Sequence, residues 1–62
     1  MNNEKLVELR EKAGLSQTAV AEKLQCTPAA VSQYESGKRE PNFETLIKLA
    51  DIYGCTVNDF VG

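Results

Sequence analysis

The side chains best suited to recognising a base pair recur at helical spacing in one short segment. Ala29, Ser32 and Gln33 share one side of a helix that begins at Pro28. A glutamine amide can bond adenine N6 and N7, a serine hydroxyl can bond either class of base, and an alanine methyl can touch a thymine methyl. This pattern predicts a helix face that approaches base edges. The predicted base contacts are Thr27, Pro28, Ala29, Ser32 and Gln33.

A second group of residues offers donors to phosphate. The free N–H groups at a helix start near Gln17 and Thr18 form an anion site, and the Gln17 side chain adds a donor. Lys38 and Arg39 directly follow the segment with the base-contacting side chains, and Asn42 caps the next helix. Such contacts fix the register of a protein on a duplex and carry no sequence information. These five residues are predicted phosphate contacts.

The spacing from Gln17 to Gly37 indicates two helices joined by a three-residue turn. Ala21 falls where the helices cross, and a leucine there would overpack at a cost of about 1–3 kcal/mol. Val31 anchors the second helix, and Gly37 ends it. This arrangement is a helix-turn-helix, whose second helix enters the major groove of DNA.

N-cap residues and glycines divide the whole chain into helices, and the predicted fold class is all-α. The periodicity indicates no strand. Five helices are predicted: from Asn3 or Glu4 to Lys12 or Ala13, from after Ser16 to near Gln25, from Pro28 to before Gly37, from after Asn42 to about Tyr53, and a short one after Thr56.

The apolar positions predict one small core. Two interpretations stay open for Val57, Phe60 and Val61, which either close the core or form a dimer contact. Tyr34 and Tyr53 are predicted to pack at the core edge. The other predicted core positions are Leu6, Leu9, Ala13, Val20, Ala21, Leu24, Val31, Phe43, Leu46, Leu49 and Ala50.

The bulk properties describe one domain, residues 1–62, with a net charge of −2. Residues 1–39 carry six basic and five acidic groups, whereas residues 40–62 carry one basic and four acidic groups. Any cationic surface is therefore local, which predicts weak non-specific binding to DNA. The N-terminus is not a signal peptide and no apolar run could span a bilayer, so the expected location is the cytoplasm.

The chemistry-bearing residues argue against an enzyme. The chain has no histidine, and its two cysteines, Cys26 and Cys55, are too few for a metal site. No nucleophile is paired with a base, and so small a domain leaves little room for a pocket. We expect no catalysis, no metal, no cofactor and no small-molecule ligand.

Taken together, LREKAGLSQ (9–17), Ala21 with Leu24, VSQYESGKREP (31–41) and LIKLADIYGCTVNDF (46–60) resemble the phage repressor and Cro family of helix-turn-helix regulators, the XRE family. The resemblance covers nearly the whole chain. It implies a compact five-helix, lambda-repressor-like domain that binds double-stranded operator DNA as a symmetric homodimer. It also implies that Arg10 pairs with Glu35 and lies near a phosphate.

The sequence departs from that family at two places. Gln25 stands where the family usually has a glycine in the turn, and a left-handed non-glycine residue costs roughly 1–2 kcal/mol. Pro28, Ala29 and Ala30 leave the tip of the second helix without side-chain hydrogen bonds. Direct readout would therefore depend on Thr27, Ser32 and Gln33, with DNA shape as a supplement.

Two functions remain in competition at this point. The first is a sequence-specific DNA-binding transcriptional regulator, with repression as the expected effect. The alternative is a protein-interaction module, an antitoxin or adaptor, that uses the acidic C-terminal third as its surface. Selection of duplexes from a random pool separates the two.

Overall fold

The structure is a computed structural model that describes residues 2–61. Its elements are α1 (Asn3–Lys12), α2 (Gln17–Leu24), α3 (Pro28–Ser36), α4 (Phe43–Tyr53) and a 3-10 helix (Val57–Phe60). Within residues 2–61 there is no strand, in agreement with the predicted all-α class. The prediction of five helices is not confirmed, because the last element is a four-residue 3-10 turn rather than an α-helix.

A polar side chain starts each α-helix by accepting a backbone N–H that has no partner within the helix. The Asn42 side chain accepts from the N–H of Thr45 at 2.8 Å, for example. The equivalent acceptors are Asn2 for α1, Ser16 for α2 and Thr27 for α3. The caps predicted from the sequence at Ser16, Thr27 and Asn42 therefore set the helix bounds.

The core lies between all five elements, each of which contributes at least one buried residue. Phe60 and Val20 are completely buried, and Leu6, Val31 and Leu49 are at most 2% exposed. Because Phe60 closes this core, it cannot serve as the dimer contact that the sequence left open. The Tyr53 ring packs edge-to-face against the Phe60 ring, with the two centroids 6.2 Å apart.

Two positions predicted to be in the core are instead on the surface. Phe43 is 68% exposed, and Ala13 is also exposed. Ala13 is the C-cap of α1, and Phe43 is the first residue of α4. The fully buried residues of α4, Leu49 and Ala50, occupy its C-terminal half. Helical periodicity identified the correct side of each helix but not how far along it the contact extends.

Candidate nucleic-acid interface

The outer side of α3 presents the predicted base-contacting residues together. Ala29, Ser32 and Gln33 are all exposed, as are Thr27 and Pro28 at its N-terminal tip. Within residues 2–61, neither the Ser32 hydroxyl nor the Gln33 amide hydrogen-bonds to protein, so both retain their full bonding capacity. The Thr27 hydroxyl oxygen accepts the N–H of Ala30 at 3.2 Å and keeps its own proton as a donor.

The inner side of α3 is held firmly against the rest of the domain. Val31 is 2% exposed, and Tyr34 and Glu35 are also buried. At the helix crossing Ala21 is 1% exposed, which leaves no space for a larger side chain. The burial of one side of α3 therefore directs the opposite side outward.

The turn between α2 and α3 has the left-handed geometry considered at Gln25. Its φ of 60° and ψ of 45° make it the only non-glycine residue with positive φ among the described residues. The next residue, Cys26, donates its N–H to the carbonyl of Ala21 at 2.9 Å, which closes the helix end. The chain thus makes the tight turn with Gln25 in place of glycine, at the energetic cost of a left-handed backbone conformation in a residue that has a Cβ.

A buried polar network lies beneath the helix-turn-helix. Arg10 Nε donates to Glu35 Oε2 at 2.6 Å and Nη2 to Oε1 at 3.3 Å, while Nη1 donates to the Leu15 carbonyl at 2.8 Å. Gln17 Nε2 adds a bond to Glu35 Oε1 at 2.9 Å. The two charged side chains are only 14% and 7% exposed. One carboxylate therefore ties α1, α2 and α3 together.

This network uses part of the hydrogen-bonding capacity of two predicted phosphate contacts, Arg10 and Gln17. One Gln17 amide proton is used by Glu35, which leaves the other proton and the helix N-terminus for an anion. The Nε, Nη1 and Nη2 atoms of Arg10 all donate hydrogen bonds within the protein. Thr18 is exposed in the first turn of α2, and Asn42 keeps its amide N–H groups free while its oxygen caps α4.

Burial and charge shift the pKa values of three groups near the core. The hydrogen bond from Arg10 to Glu35 raises the pKa of Arg10. Burial, with a smaller contribution from the Glu35 carboxylate, raises the pKa of Tyr53 to about 12. Burial also raises the pKa of the Cys55 thiol, which makes it less reactive.

The loop after α3 carries the predicted cations. Lys38 and Arg39 are both exposed. The Arg39 guanidinium carbon lies 5.6 Å from the centroid of the Tyr34 ring, and the Arg39 N–H donates to the Gln33 carbonyl at 3.2 Å. The cationic loop is therefore anchored to the same helix that presents Gln33.

Sequence reasoning missed one clamp on α3. Asn3 Nδ2 donates to the Glu35 carbonyl at 2.8 Å, so the first turn of α1 satisfies a carbonyl at the C-terminal end of α3. A Cβ on Gly37 would meet the Asn3 amide at 3.4 Å, and Gly37 itself has a φ of +82°. No local signal marks Asn3, because its partner lies 32 residues further along the chain.

The cysteines and the surface clefts concern the sequence predictions for ligands. Across residues 2–61, no three His, Cys, Asp or Glu side chains are grouped to hold a metal ion, and Cys26 and Cys55 are free thiols. A surface cleft of about 370 Å³ lies between the C-terminal ends of α1 and α4. No helix in this part of the chain is long and apolar enough to cross a membrane.

Curated proteins of similar sequence are transcriptional regulators. The chain is 38% identical over 94% of its length to the HTH-type transcriptional regulator ImmR and 37% identical over its full length to AnsR, both of Bacillus subtilis. It is 37% identical over 95% of its length to the HTH-type transcriptional activator BcrR of Enterococcus faecalis. The chain spans 46%, 53% and 29% of the lengths of these three relatives.

A family model agrees with the geometry described above. The model of the helix-turn-helix family matches residues 6–60, from the core leucine of α1 to the phenylalanine that closes the core. This match includes α2, α3 and the turn between them. The chain therefore belongs to the helix-turn-helix family, as an XRE-like helix-turn-helix domain.

Proposed function

We propose that this chain is a sequence-specific, double-stranded DNA-binding transcriptional regulator that inserts α3 into the major groove. The observation that supports it most directly is the pair of opposed sides of α3. Val31, Tyr34 and Glu35 are buried, whereas Ser32 and Gln33 are exposed with unused hydrogen-bonding groups. A rigidly held helix with small polar side chains on its free side fits the width and chemistry of the major groove.

Phosphate contacts on both sides of α3 would set its register. The N-terminus of α2 with Gln17 and Thr18 would bind one stretch of backbone, and Lys38, Arg39 and Asn42, which follow α3 in the chain, would bind another. Helix N-termini and cationic side chains are the usual partners of DNA phosphates. Arg10 is neutralised by Glu35 in a buried ion pair, so its proposed part is to hold this surface in place.

Selection of bound duplexes from a random pool at low salt tests this function. An enriched sequence supports it, and Gln33→Ala should then weaken binding by about 1–3 kcal/mol and blur the preference at one base pair, an adenine position. Asn58→Ala is the matched control, because this exposed amide lies on the 3-10 helix outside the helix-turn-helix. Failure to enrich any sequence would refute the proposal.

We further propose repression as the regulatory effect. A domain seated in the major groove excludes other proteins from the same bases, so occupancy of a site that overlaps a promoter blocks transcription. One relative carries the name of an activator, so the sign needs a direct measurement. A reporter with the selected sequence placed over a promoter should lose expression when the protein is produced. Increased expression would show activation instead.

A second copy of the chain is the proposed partner on DNA. Phe43 and Val61 are 68% and 65% exposed, and Ile47 is 49% exposed one turn after Phe43. Asn42, a proposed phosphate contact, directly precedes Phe43 in the chain, so a second domain on a neighbouring half-site would approach Phe43 and Ile47. Of the three residues that were predicted as a dimer contact, Val61 is exposed, whereas Phe60 is buried and Val57 is half-buried.

The selected site tests this assembly. We expect a near-palindrome with half-sites about 10 bp apart centre to centre. Ile47→Ser should convert two-domain occupancy into single occupancy, as measured by the size of the complex. Lys48→Ser, on the same helix but charged and exposed in the native chain, is the control. An asymmetric single half-site in the enriched pool would argue against the dimer.

The exposed apolar surface also favours a second candidate function, a protein-interaction module of the antitoxin or adaptor type. Residues 40–62 carry four acidic groups and one basic group around Phe43 and Ile47. This function predicts that the random-pool selection enriches no sequence while the chain still binds a partner protein through α4. An enriched duplex sensitive to Gln33→Ala favours the regulator over this alternative.

A further inference from the structure

We propose that Tyr34 is a positioning residue for DNA phosphate binding. Its ring holds the Arg39 guanidinium beside α3 in an orientation that is ready to bind an anion. The inference rests on the proposed DNA-binding function and adds a role for a residue that sequence analysis assigned only to the core edge. Arg39 would touch the phosphate, and Tyr34 would act through Arg39.

The ring is a rigid support for the arginine. Tyr34 is only 9% exposed and belongs to the buried cluster that includes Val31 and Leu6. The guanidinium carbon of Arg39 lies 5.6 Å from the ring centroid, within the range of a cation–π contact. A planar guanidinium stacked on a fixed ring loses less freedom when it binds an anion than a freely rotating one.

The backbone fixes the other end of the same side chain. Gly37, with a φ of +82°, turns the chain sharply after α3, and its N–H donates to the Tyr34 carbonyl at 3.4 Å. The Arg39 N–H then donates to the carbonyl of Gln33 at 3.2 Å. The arginine is therefore held at its backbone and at its guanidinium, next to the proposed base-reading residue.

The guanidinium of Arg39 remains available to a ligand. In the described part of the chain it forms no ion pair and donates no side-chain hydrogen bond, although its neighbour Glu40 lines the same small surface cleft, which Asn3 and Gly37 complete. Arg10 differs, because its donors go to Glu35 and Leu15. A stacked arginine with unused donors is suited to a bidentate contact with a phosphate group.

Lys38 provides the matched comparison within the same loop. It is an exposed cation adjacent to Arg39, and no aromatic contact is formed by it within residues 2–61. If stacking on Tyr34 is what prepares Arg39 for phosphate, a change at Tyr34 should affect DNA binding through Arg39 and not through Lys38.

A double-mutant cycle on the duplex selected from the random pool measures this dependence. Arg39→Ala should weaken binding about tenfold and reduce the slope of log K against log salt by about 0.9. Tyr34→Leu should weaken binding about three- to fivefold in the wild type and in Lys38→Ala, but have no further effect in Arg39→Ala. Tyr34→Phe, which keeps the aromatic face, should restore binding to within twofold of wild type.

Proton NMR of the free protein tests the geometry without DNA. The Arg39 Hδ and Hε resonances should lie upfield through the Tyr34 ring current, in the wild type and in Tyr34→Phe. Circular dichroism identifies a Tyr34→Leu chain that fails to fold, and in that case Arg39→Lys replaces it in the cycle. This change keeps the charge and the salt slope but should lose the several-fold advantage of the stacked guanidinium.

The results separate this inference from the proposed function. Any one of three results would overturn the positioning role while sequence-specific binding persists. These are an equal loss of affinity from Tyr34→Leu with and without Arg39, equal affinities for Arg39→Lys and wild type, and unshifted Arg39 resonances. A wild-type chain that enriches no duplex would overturn the proposed function itself, and with it the role proposed for Tyr34.

Discussion

The interior beneath α3 and the outer surface of α3 and α4 contain the same residue types in opposite environments. The chain has two phenylalanines, of which Phe60 is completely buried and Phe43 is 68% exposed. The side chain of Glu35 is 7% exposed, whereas that of Glu44 is 81% exposed. Polarity alone therefore does not decide which residues this small domain buries.

Each region uses the shared residue types differently. In the interior, Glu35 is stabilised because Arg10 and Gln17 together fill its oxygen atoms with hydrogen bonds. A buried carboxylate without such partners would be strongly unfavourable. On the outside, the position of Phe43 at the start of α4 leaves most of its ring exposed, which makes it available to another molecule. Matched substitutions in the two regions test this difference.

The largest contrast is expected between the two phenylalanines. Phe60→Ala should destabilise the domain by about 4 kcal/mol, because it removes a fully buried ring and leaves a cavity. Phe43→Ala should change the free energy of unfolding by less than about 0.5 kcal/mol. Urea denaturation followed by circular dichroism measures both. Comparable losses would mean that Phe43 contributes to the core.

The two glutamates give the next contrast. Glu35→Ala should cost about 3 kcal/mol, because it strands the Arg10 charge in a site where the arginine is 14% exposed. Glu44→Ala removes only an exposed pair with Lys48 at 3.9 Å and should cost under about 0.5 kcal/mol. Chemical denaturation near neutral pH compares the two. A small effect at Glu35 would contradict the structural importance of the buried network.

Two alanines compare the helix crossing with the proposed DNA-facing surface. Ala21→Leu should lower stability by about 2 kcal/mol, since the crossing leaves no room for extra atoms. Ala29→Leu should leave stability within about 0.5 kcal/mol, because that position is exposed, and weaken binding to the selected duplex. Thermal unfolding and DNA titration of both variants are needed. Loss of stability at Ala29 with unchanged DNA binding would reverse the assignment.

Tyr53 makes the interior sensitive to alkaline pH. Its pKa rises from the ordinary 10.0 to about 12 in the folded chain, so the unfolded chain loses the phenol proton first. The stability contributed by Tyr53 is therefore present below pH 10 and lost as the pH rises to about 12. The loss should be on the order of 1 kcal/mol, because the half-buried phenol is screened by solvent.

Tyr53→Phe is the control for this pH dependence. It keeps the edge-to-face contact with Phe60 but has no phenol to ionise. Urea denaturation at intervals between pH 9 and pH 12 should show a shallower loss of stability in the variant. Identical pH profiles would show that the ionisation of Tyr53 does not couple to folding.

The smallest expected effect is a gain in stability at the turn. Gln25→Gly should raise the free energy of unfolding by about 0.5–1 kcal/mol, because glycine adopts the left-handed conformation without a Cβ penalty. Glu22→Gly, inside the exposed part of α2, should instead cost about 1 kcal/mol. Thermal unfolding distinguishes the two signs. Destabilisation by Gln25→Gly would show that its side chain contributes more than its backbone costs.

Much of the fold was predictable because its signals are local. Ser16, Thr27 and Asn42 cap their helices as predicted, since an N-cap depends only on the following three residues. The Asn3 contact with the Glu35 carbonyl was not predictable. It joins the start of α1 to the C-terminal end of α3, and only packing brings these two helix ends together. The exposed position of Phe43 was missed for the same reason.

The candidate interface divides in the same way. The residue types on the outer side of α3 follow from the spacing of Ala29, Ser32 and Gln33, whereas the hydrogen bond of Gln17 to Glu35 and the stacking of Arg39 on Tyr34 required coordinates. Side-chain contacts between elements depend on crossing angles and rotamers, and no single-sequence periodicity specifies these.

By itself, the sequence determined the helical class, the helix caps at Ser16, Thr27 and Asn42 and the polar character of the exposed side of α3. All of these depend on interactions within about four residues or on the helical repeat. Only the tertiary structure decided how deeply Glu35 is buried, which phenylalanine closes the core and how Arg39 is placed against Tyr34. Those outcomes depend on the close packing of side chains that lie far apart in the chain.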